Sequence, residues 1–309
     1  MLEKGYSKTM SLGPLMGVGT VDALIPPNAL TVVLASLANI DVGQLLMAGI
    51  PAGIMMSALY FIYVVLWLRF RPEEAPMYIA PKIPLKEKMR VTLRDLIPLG
   101  FIIFMVIGFI FLGVATPTEA AATGTLGAFI LALLYRRLTW QIMRKSVMST
   151  VKVTVMIFMI IIVSSTYGEI LAFTGAAAGM TNFISNLTVS PIVILIGMLV
   201  VVLIMGCFME TVAIMMITIP IYMPVVTAFG FNKIWFGVMM LIALETGLIT
   251  PPFGVTLFVM KGVAPPEVTM GDIWKAVTPY VIVDVLCIAL VMAVPNIATV
   301  VPNLMGMVH

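Results

Sequence analysis

Two stretches of this sequence bring together groups that could hold ions inside an apolar chain. One, "VDALIPPN", carries Asp22, Pro26, Pro27 and Asn28; the other, "LETGLITPPFG", carries Glu245, Gly247, Thr250, Pro251, Pro252 and Gly254. Proline has no amide hydrogen and clashes with the preceding turn, so each pair must interrupt a helix and free carbonyl oxygens one turn upstream. In hydrocarbon such oxygens need another partner, and a small hard cation such as Na⁺ can serve. The helix that restarts after each break points its positive N-terminus at the gap, which suits a carboxylate. Gly247 and Gly254 let a ligand or a neighbouring backbone come close. Each break is therefore expected to hold a cation and an anion, with Asn28, Thr250 and Thr256 as polar side chains beside it.

These breaks must be positioned by a membrane-embedded scaffold. The chain has 309 residues, 61% of them hydrophobic and 10% charged, whereas soluble domains carry about 25% charged residues. Apolar stretches of about 20 residues recur along its length, which predicts helices crossing a lipid bilayer. The short alternating segments of a barrel are absent. Cys207 and Cys287 lie in apolar runs and read as buried thiols. The single histidine is His309, so neither a zinc site nor a Ser-His nucleophile is expected. The net charge of +3 resides in loops and carries no sign of nucleic-acid binding. The first residues, "MLEKGYSKTM", lack the apolar core of a cleavable signal.

The expected segments are 11–37 (broken at "LIPPN"), 45–68, 96–114, 119–134, 148–173, 191–226 (broken at "GCFMET"), 234–260 (broken at "ITPPFG") and 276–294. A weakly apolar stretch, 174–190, precedes the sixth. Lysine and arginine orient them. The loop 69–94, with Arg69, Arg71, Lys82, Lys86, Lys88, Arg90 and Arg94, is cytoplasmic, as is the cluster from Arg136 to Lys152. The 191–226 segment then reads as a re-entrant hairpin, and Lys261 and Lys275 fall in a cytoplasmic loop. In "VATPTEAAA", Thr116, Pro117 and Glu119 spell a helix start with a capping box.

The broken segments repeat. "GYSK" at 5–8 matches "GFNK" at 230–233, Pro26-Pro27 matches Pro251-Pro252 and Thr31 matches Thr256, all at one lag. With three more residues in the second copy, Gly43 matches Gly271, Ala48 matches Ala276 and Pro51 matches Pro279. Five crossings separate the copies, and an odd number inverts the second. Paired broken segments in inverted repeats point to the binding site of a secondary transporter; the plainer reading is two proline kinks.

Acids within the spans are functional candidates by default. Glu245 stands beside the second break and is expected to organise the site. Glu210 stands at the hairpin's second arm, as a helix cap or a ligand. Asp22 occupies the repeat position of Gly247. Asp284 and Glu169 read as polar contacts of the scaffold. The 27 methionines are scattered and read as adaptable packing.

"GYSKTMSLGPLMGVGTVDALIPPN", "GVATPTEAAATGTLGAFILALLYRRLT" and "ALETGLITPPFGVTLFV" together resemble the large membrane subunit of tripartite ATP-independent periplasmic (TRAP) transporters, over essentially the whole chain. The resemblance implies an all-α, inverted-repeat, elevator-type transporter in the bacterial inner membrane. It implies uptake of small carboxylates, commonly C4-dicarboxylates or sialic acid, on a Na⁺ gradient and without an organic cofactor. The implied partners are a small four-helix membrane subunit and a soluble periplasmic binding protein. One cation site would use Gly206, Glu210 or Thr211 at the hairpin tip with residues 247–251, including Thr250 and Pro251. The other would use the backbone from Gly19 and Thr20 through Asp22 to Pro26. Substrate would meet Asn28, Thr31, Gly254 and Thr256. The family usually has Gly and Ser flanking the first proline pair, where this chain has Asp22 and Asn28. Its large subunit also extends further at the N-terminus, so the resemblance implies a truncated first repeat: 1–68 as its remainder, 69–95 as a cytoplasmic linker and 96–309 as the second repeat. A stand-alone Na⁺-coupled dicarboxylate or citrate carrier and a noncatalytic membrane fragment are the competing readings. No convergent pair of groups suggests an enzyme.

Overall fold

In the computed structural model, which describes residues 1–76, 84–176, 179 and 189–306, helix is the only regular structure among the described residues. Lys82, His309 and most of the 174–190 stretch lie outside them. The helices are α1 (Lys8–Thr20), α2 (Ala29–Ala38), α3 (Val42–Phe70), α4 (Leu85–Val91), α5 (Ile97–Phe111), α6 (Pro117–Leu134), α7 (Trp140–Phe173), α8 (Pro191–Gly206), α9 (Thr211–Ala228), α10 (Lys233–Ile249), α11 (Val255–Val263), α12 (Met270–Ala293) and α13 (Asn296–Leu304). Among the described residues, six helical stretches are long and apolar enough to cross a membrane, and α1–α2 adds a pair bent by 45°.

Caps set most of the helix starts. Ser7 accepts from the Met10 amide at α1, Asp41 from Gln44 at α3, and Asn232 from Ile234 and Trp235 at α10. Thr116 and Glu119 form the expected box at α6, and Thr269 and Asp272 form another at α12. The caps obey the repeat. Ser7 and Asn232 stand at the lag that relates the proline pairs, and Asp41 and Thr269 at the longer one. Sequence periodicity thus reappears as local geometry.

The structure corrects three expectations. Helix α7 begins at Trp140, not near 148, because Arg144 and Lys145 lower hydropathy without breaking the helix. Lys261 and Lys275 lie within α11 and α12, not in the loop between them. Helix α13 was not expected at all: Pro295 starts it just past the apolar run, and it packs on α3.

Two compact units result. In the unit spanning Tyr78–Ile160, α5 and α6 pack through glycines; a Cβ at Gly124 would lie 2.7 Å from the Val106 side chain. The Tyr135 hydroxyl donates to the Arg94 carbonyl. The other unit, Met1–Met77 with Ile161–His309, holds both breaks. Its centre is α10, of which 14 of 17 residues are buried. A helix buried all round faces protein, not lipid. Around it pack α1, α3, α8, α9, α11 and α12.

Helix α1 meets α12 almost backbone to backbone. A Cβ at Gly13 would lie 2.6 Å from the Ala276 carbonyl oxygen, and one at Gly17 would lie 2.2 Å from the Tyr280 ring. Gly17→Ala should therefore destabilise this unit by about 1–3 kcal/mol through overpacking, read from reversible unfolding in mixed micelles. An unchanged midpoint would show slack between α1 and α12. At the end of α3, Glu74 accepts from Trp67 Nε1 (3.0 Å), Ser7 Oγ (2.9 Å) and Arg71. Burial alone would raise its pKa, but these donors hold Glu74 below the usual carboxylate value.

Candidate functional site

Both predicted breaks exist, and they end alike. The first copy runs from α1 through one 3-10 turn, Asp22–Leu24, before leaving the helix; α10 ends at Ile249, the repeat position of Leu24. Ile25 and Thr250, the next residues, are both extended, with φ/ψ of −105°/116° and −77°/125°. The peptide bonds Pro26-Pro27 and Pro251-Pro252 are both cis.

At the first break, the Asn28 side-chain oxygen Oδ1 caps α2 by accepting from the amides of Leu30 (2.8 Å) and Thr31 (3.1 Å). Its amide nitrogen donates to Asp22 Oδ2 at 3.1 Å. One side chain thus ties the two half-helices across the gap. The Thr31 hydroxyl, 1% exposed, donates to the Ala23 carbonyl at 2.6 Å and closes the break from its buried side. The Leu24 carbonyl oxygen rests on Gly49, where an added Cβ would come within 2.4 Å. Gly19 is exposed, with open space where a side chain would be. Thr20 faces inward: it donates to the Gly17 carbonyl at 2.8 Å and lies 2.7 Å from the Tyr60 hydroxyl.

At the second break, Thr250 covers the freed carbonyls. Its hydroxyl donates to Thr246 O at 2.6 Å and its amide to Gly247 O at 3.1 Å. The Gly254 amide donates to Thr250 O at 3.1 Å, and a Cβ on Gly254 would lie 2.3 Å from Leu248 O. Only glycine lets that carbonyl turn so tightly. The upstream carbonyls that lose helical partners find others here: threonines reach back to several of them, as buried polar groups require. Thr256 is half-buried in the first turn of α11.

The hairpin tip lies on the second break. Gly206 ends α8 against Gly247 of α10; a Cβ on Gly206 would be 2.5 Å from Gly247 Cα. The rings of Phe208 and Phe253 pack at a 40° tilt with centroids 5.5 Å apart, and Cys207 Sγ is 4.0 Å from the Pro251 carbonyl oxygen. Glu210 caps α9, accepting from the Val212 amide at 3.0 Å, and Thr211 begins that helix, 4% exposed.

Glu245 stands between these parts. The negative fields of Asp22 at the first break, Asp284 on α12 and Glu210 at the hairpin tip all act on it. Among the described residues no side chain hydrogen-bonds its carboxyl. Two lysines of the packed helices are engaged elsewhere: Lys8 with Asp272 (2.7 Å) and the Glu267 carbonyl, and Lys261 with the Val268 carbonyl. The arrangement places negative charge and main-chain oxygen around Glu245, which favours a cation. Glu169 lies elsewhere, lining a cavity of about 410 Å³ with Asn39 and Ser165.

Tyr60, Thr246 and Asp284 were not singled out as a set from sequence. Asp284 is fully buried and accepts from the Tyr60 hydroxyl and from Thr246 Oγ1 at 3.3 Å. Only the acid in an apolar span was legible; its partners come from helices remote in sequence.

The family model "Tripartite ATP-independent periplasmic transporter, DctM component" matches residues 1–297. The C4-dicarboxylate TRAP transporter large permease protein DctM of Pseudomonas aeruginosa is 30% identical over 308 residues, covering 99% of this chain and 70% of that protein. The ectoine TRAP transporter large permease protein TeaC of Halomonas elongata is 27% identical, covering 96% and 68%. The sialic acid TRAP transporter large permease protein SiaM of Vibrio cholerae is 26% identical, covering 92% and 65%.

Proposed function

Because this chain belongs to the DctM-component family of tripartite ATP-independent periplasmic transporters, we propose that it imports a small carboxylate, a C4-dicarboxylate or a near relative, together with Na⁺. It is a multi-pass inner-membrane permease component, not an enzyme. The observation that carries the proposal is the hairpin tip seated on the second break, with Glu245 under the fields of Asp22, Asp284 and Glu210 and no cation among the described residues acting on it. Main-chain oxygens at 247–251 with Glu245 and Glu210 would hold one Na⁺. The backbone from Gly19 to Pro26 with Asp22 would serve the other. Cation binding would neutralise the region, so that a carboxylate can approach the N-termini of α2 and α11, beside Asn28 and Gly254. The unit holding both breaks would move as the carrier.

The partners proposed are the small permease subunit and a periplasmic binding protein. Uptake of radiolabelled succinate into proteoliposomes holding the chain and its small subunit tests this. Uptake should require an inward Na⁺ gradient and added binding protein. Uptake without binding protein would favour a stand-alone carrier. Uptake indifferent to Na⁺ would reject the coupling.

A further inference from the structure

The unit Tyr78–Ile160 carries a basic rim that plays no part in the proposed Na⁺ and carboxylate sites. Helix α4, a π turn over Thr92–Leu96 and α5 run on as one stretch, Leu85–Phe111. Its first turns carry Lys86, Arg90 and Arg94 at four-residue spacing, which places them on one face. With Met89 and Leu93 they line a cavity of about 530 Å³. The Tyr135 hydroxyl, just past the end of α6, donates to the Arg94 carbonyl, so the start of α5 and the end of α6 meet. Arg136 and Arg137 follow at once. Their amides donate to the carbonyls of Leu133 and Ala132, both at 2.9 Å, which fixes the chain reversal there. Arg136 takes a left-handed φ of 53°, a position that glycine usually fills.

A second cavity opens one turn away from this rim. It holds about 340 Å³ between α5 and α6, with Pro98, Ile102 and Met105 on one wall and Thr123, Gly127 and Leu131 on the other. Its lining is apolar almost throughout. Pro98 stands four residues past Arg94, and Leu131 four before Tyr135, so the groove begins one turn from the basic residues. From Pro98 to Met105 it extends roughly 10 Å along α5. Tyr135 and Trp140 flank the two arginines and are exposed. Such amphipathic rings settle at the headgroup level of a bilayer. The rim therefore lies at the depth of lipid phosphates, and the groove at the depth of acyl chains.

From this geometry we infer that the α5–α6 groove binds an anionic phospholipid of the cytoplasmic leaflet, one acyl chain in the groove and the phosphate at Arg94, Arg136 and Arg137. Charge favours that occupant. Among the described residues no side chain pairs with Lys86, Arg90, Arg136 or Arg137. Arg94 has only its neighbour Asp95, 3.9 Å away and equally exposed. Basic sites of this kind at the cytoplasmic ends of spanning helices suit lipid headgroups, and the planar fork of arginine matches phosphate oxygens. Length favours it as well. A partner helix would cross a hydrocarbon core of about 30 Å, whereas a groove of roughly 10 Å accommodates a chain within one leaflet. A free anion at the rim would leave the groove unfilled. The bound lipid would hold this unit at a fixed depth in the bilayer.

Native mass spectrometry of the full chain, delipidated in mild detergent and titrated with phosphatidylglycerol or phosphatidylcholine of identical chains, reads the site without any transport. Phosphatidylglycerol should bind at least about tenfold more tightly. The combined variant Arg94→Gln, Arg136→Gln, Arg137→Gln should weaken phosphatidylglycerol by on the order of tenfold to a hundredfold and leave phosphatidylcholine unchanged. All three side chains are exposed, so folding should hold. Lys275→Gln, an exposed cation on α12 in the other unit, is the control and should alter neither lipid. Thr123→Phe should fill the groove and weaken both. Equal affinity for the two lipids, or wild-type affinity in the triple variant, overturns the headgroup site. Unchanged binding in Thr123→Phe overturns the groove. Should that variant fail to fold, Leu126→Ser makes an exposed part of the same wall polar; it must weaken both lipids, and unchanged binding refutes the groove. Displacement of the lipid by millimolar inorganic phosphate would reduce the site to a free-anion site. Displacement by the small permease subunit would give the groove to a protein. Either result overturns the inference.

Discussion

Gly247→Leu is expected to abolish Na⁺-driven uptake, by on the order of a hundredfold or more, while the protein still inserts in the membrane. The reason is steric. A Cβ on Gly247 would lie 2.7 Å from Gly206 Cα and 3.4 Å from the Leu203 carbonyl oxygen. Backbone, not a flexible side chain, meets it, so the hairpin tip must lift from the second break. Leucine is favoured in a span, so insertion should survive. Gly197→Leu, on α8, the helix whose end meets Gly247, has open space around its Cβ; it is the control and should transport normally. Normal uptake by Gly247→Leu would separate the tip contact from transport.

Glu245→Gln should raise the Na⁺ concentration for half-maximal uptake by roughly tenfold or more, since losing one charge near an ion in a low-dielectric site costs at least about 1.4 kcal/mol. Glutamine keeps the volume, so expression should hold. The contrast is Glu210→Gln, which retains a capping oxygen for Val212 but also drops a charge; its Na⁺ curve should move less, because Glu210 is exposed whereas Glu245 is not. A Na⁺ titration of Glu245→Gln that overlays the wild type would remove Glu245 from the cation site. Loss of expression with an unchanged titration would make it a structural acid.

Much of the scaffold was legible because apolar runs and proline pairs act locally. A run of apolar residues must become helix in lipid, and Pro26-Pro27 and Pro251-Pro252 must interrupt it wherever the rest of the chain lies. The capping residues Thr116 and Glu119 were readable for the same reason. The start of α7 and all of α13 were missed, because charged residues on a long helix and a short helix after Pro295 look like loop to a hydropathy reading.

The sequence by itself determined that this chain spans the membrane by helices, that two of them break at matched positions, and that acids stand beside the breaks. These follow from backbone chemistry within a few residues. Only the tertiary structure decided which groups meet: Gly206 against Gly247, and Tyr60 with Asp284. Such contacts join residues far apart in the chain. Side-chain direction and helix packing set them, and neither leaves a period in the sequence.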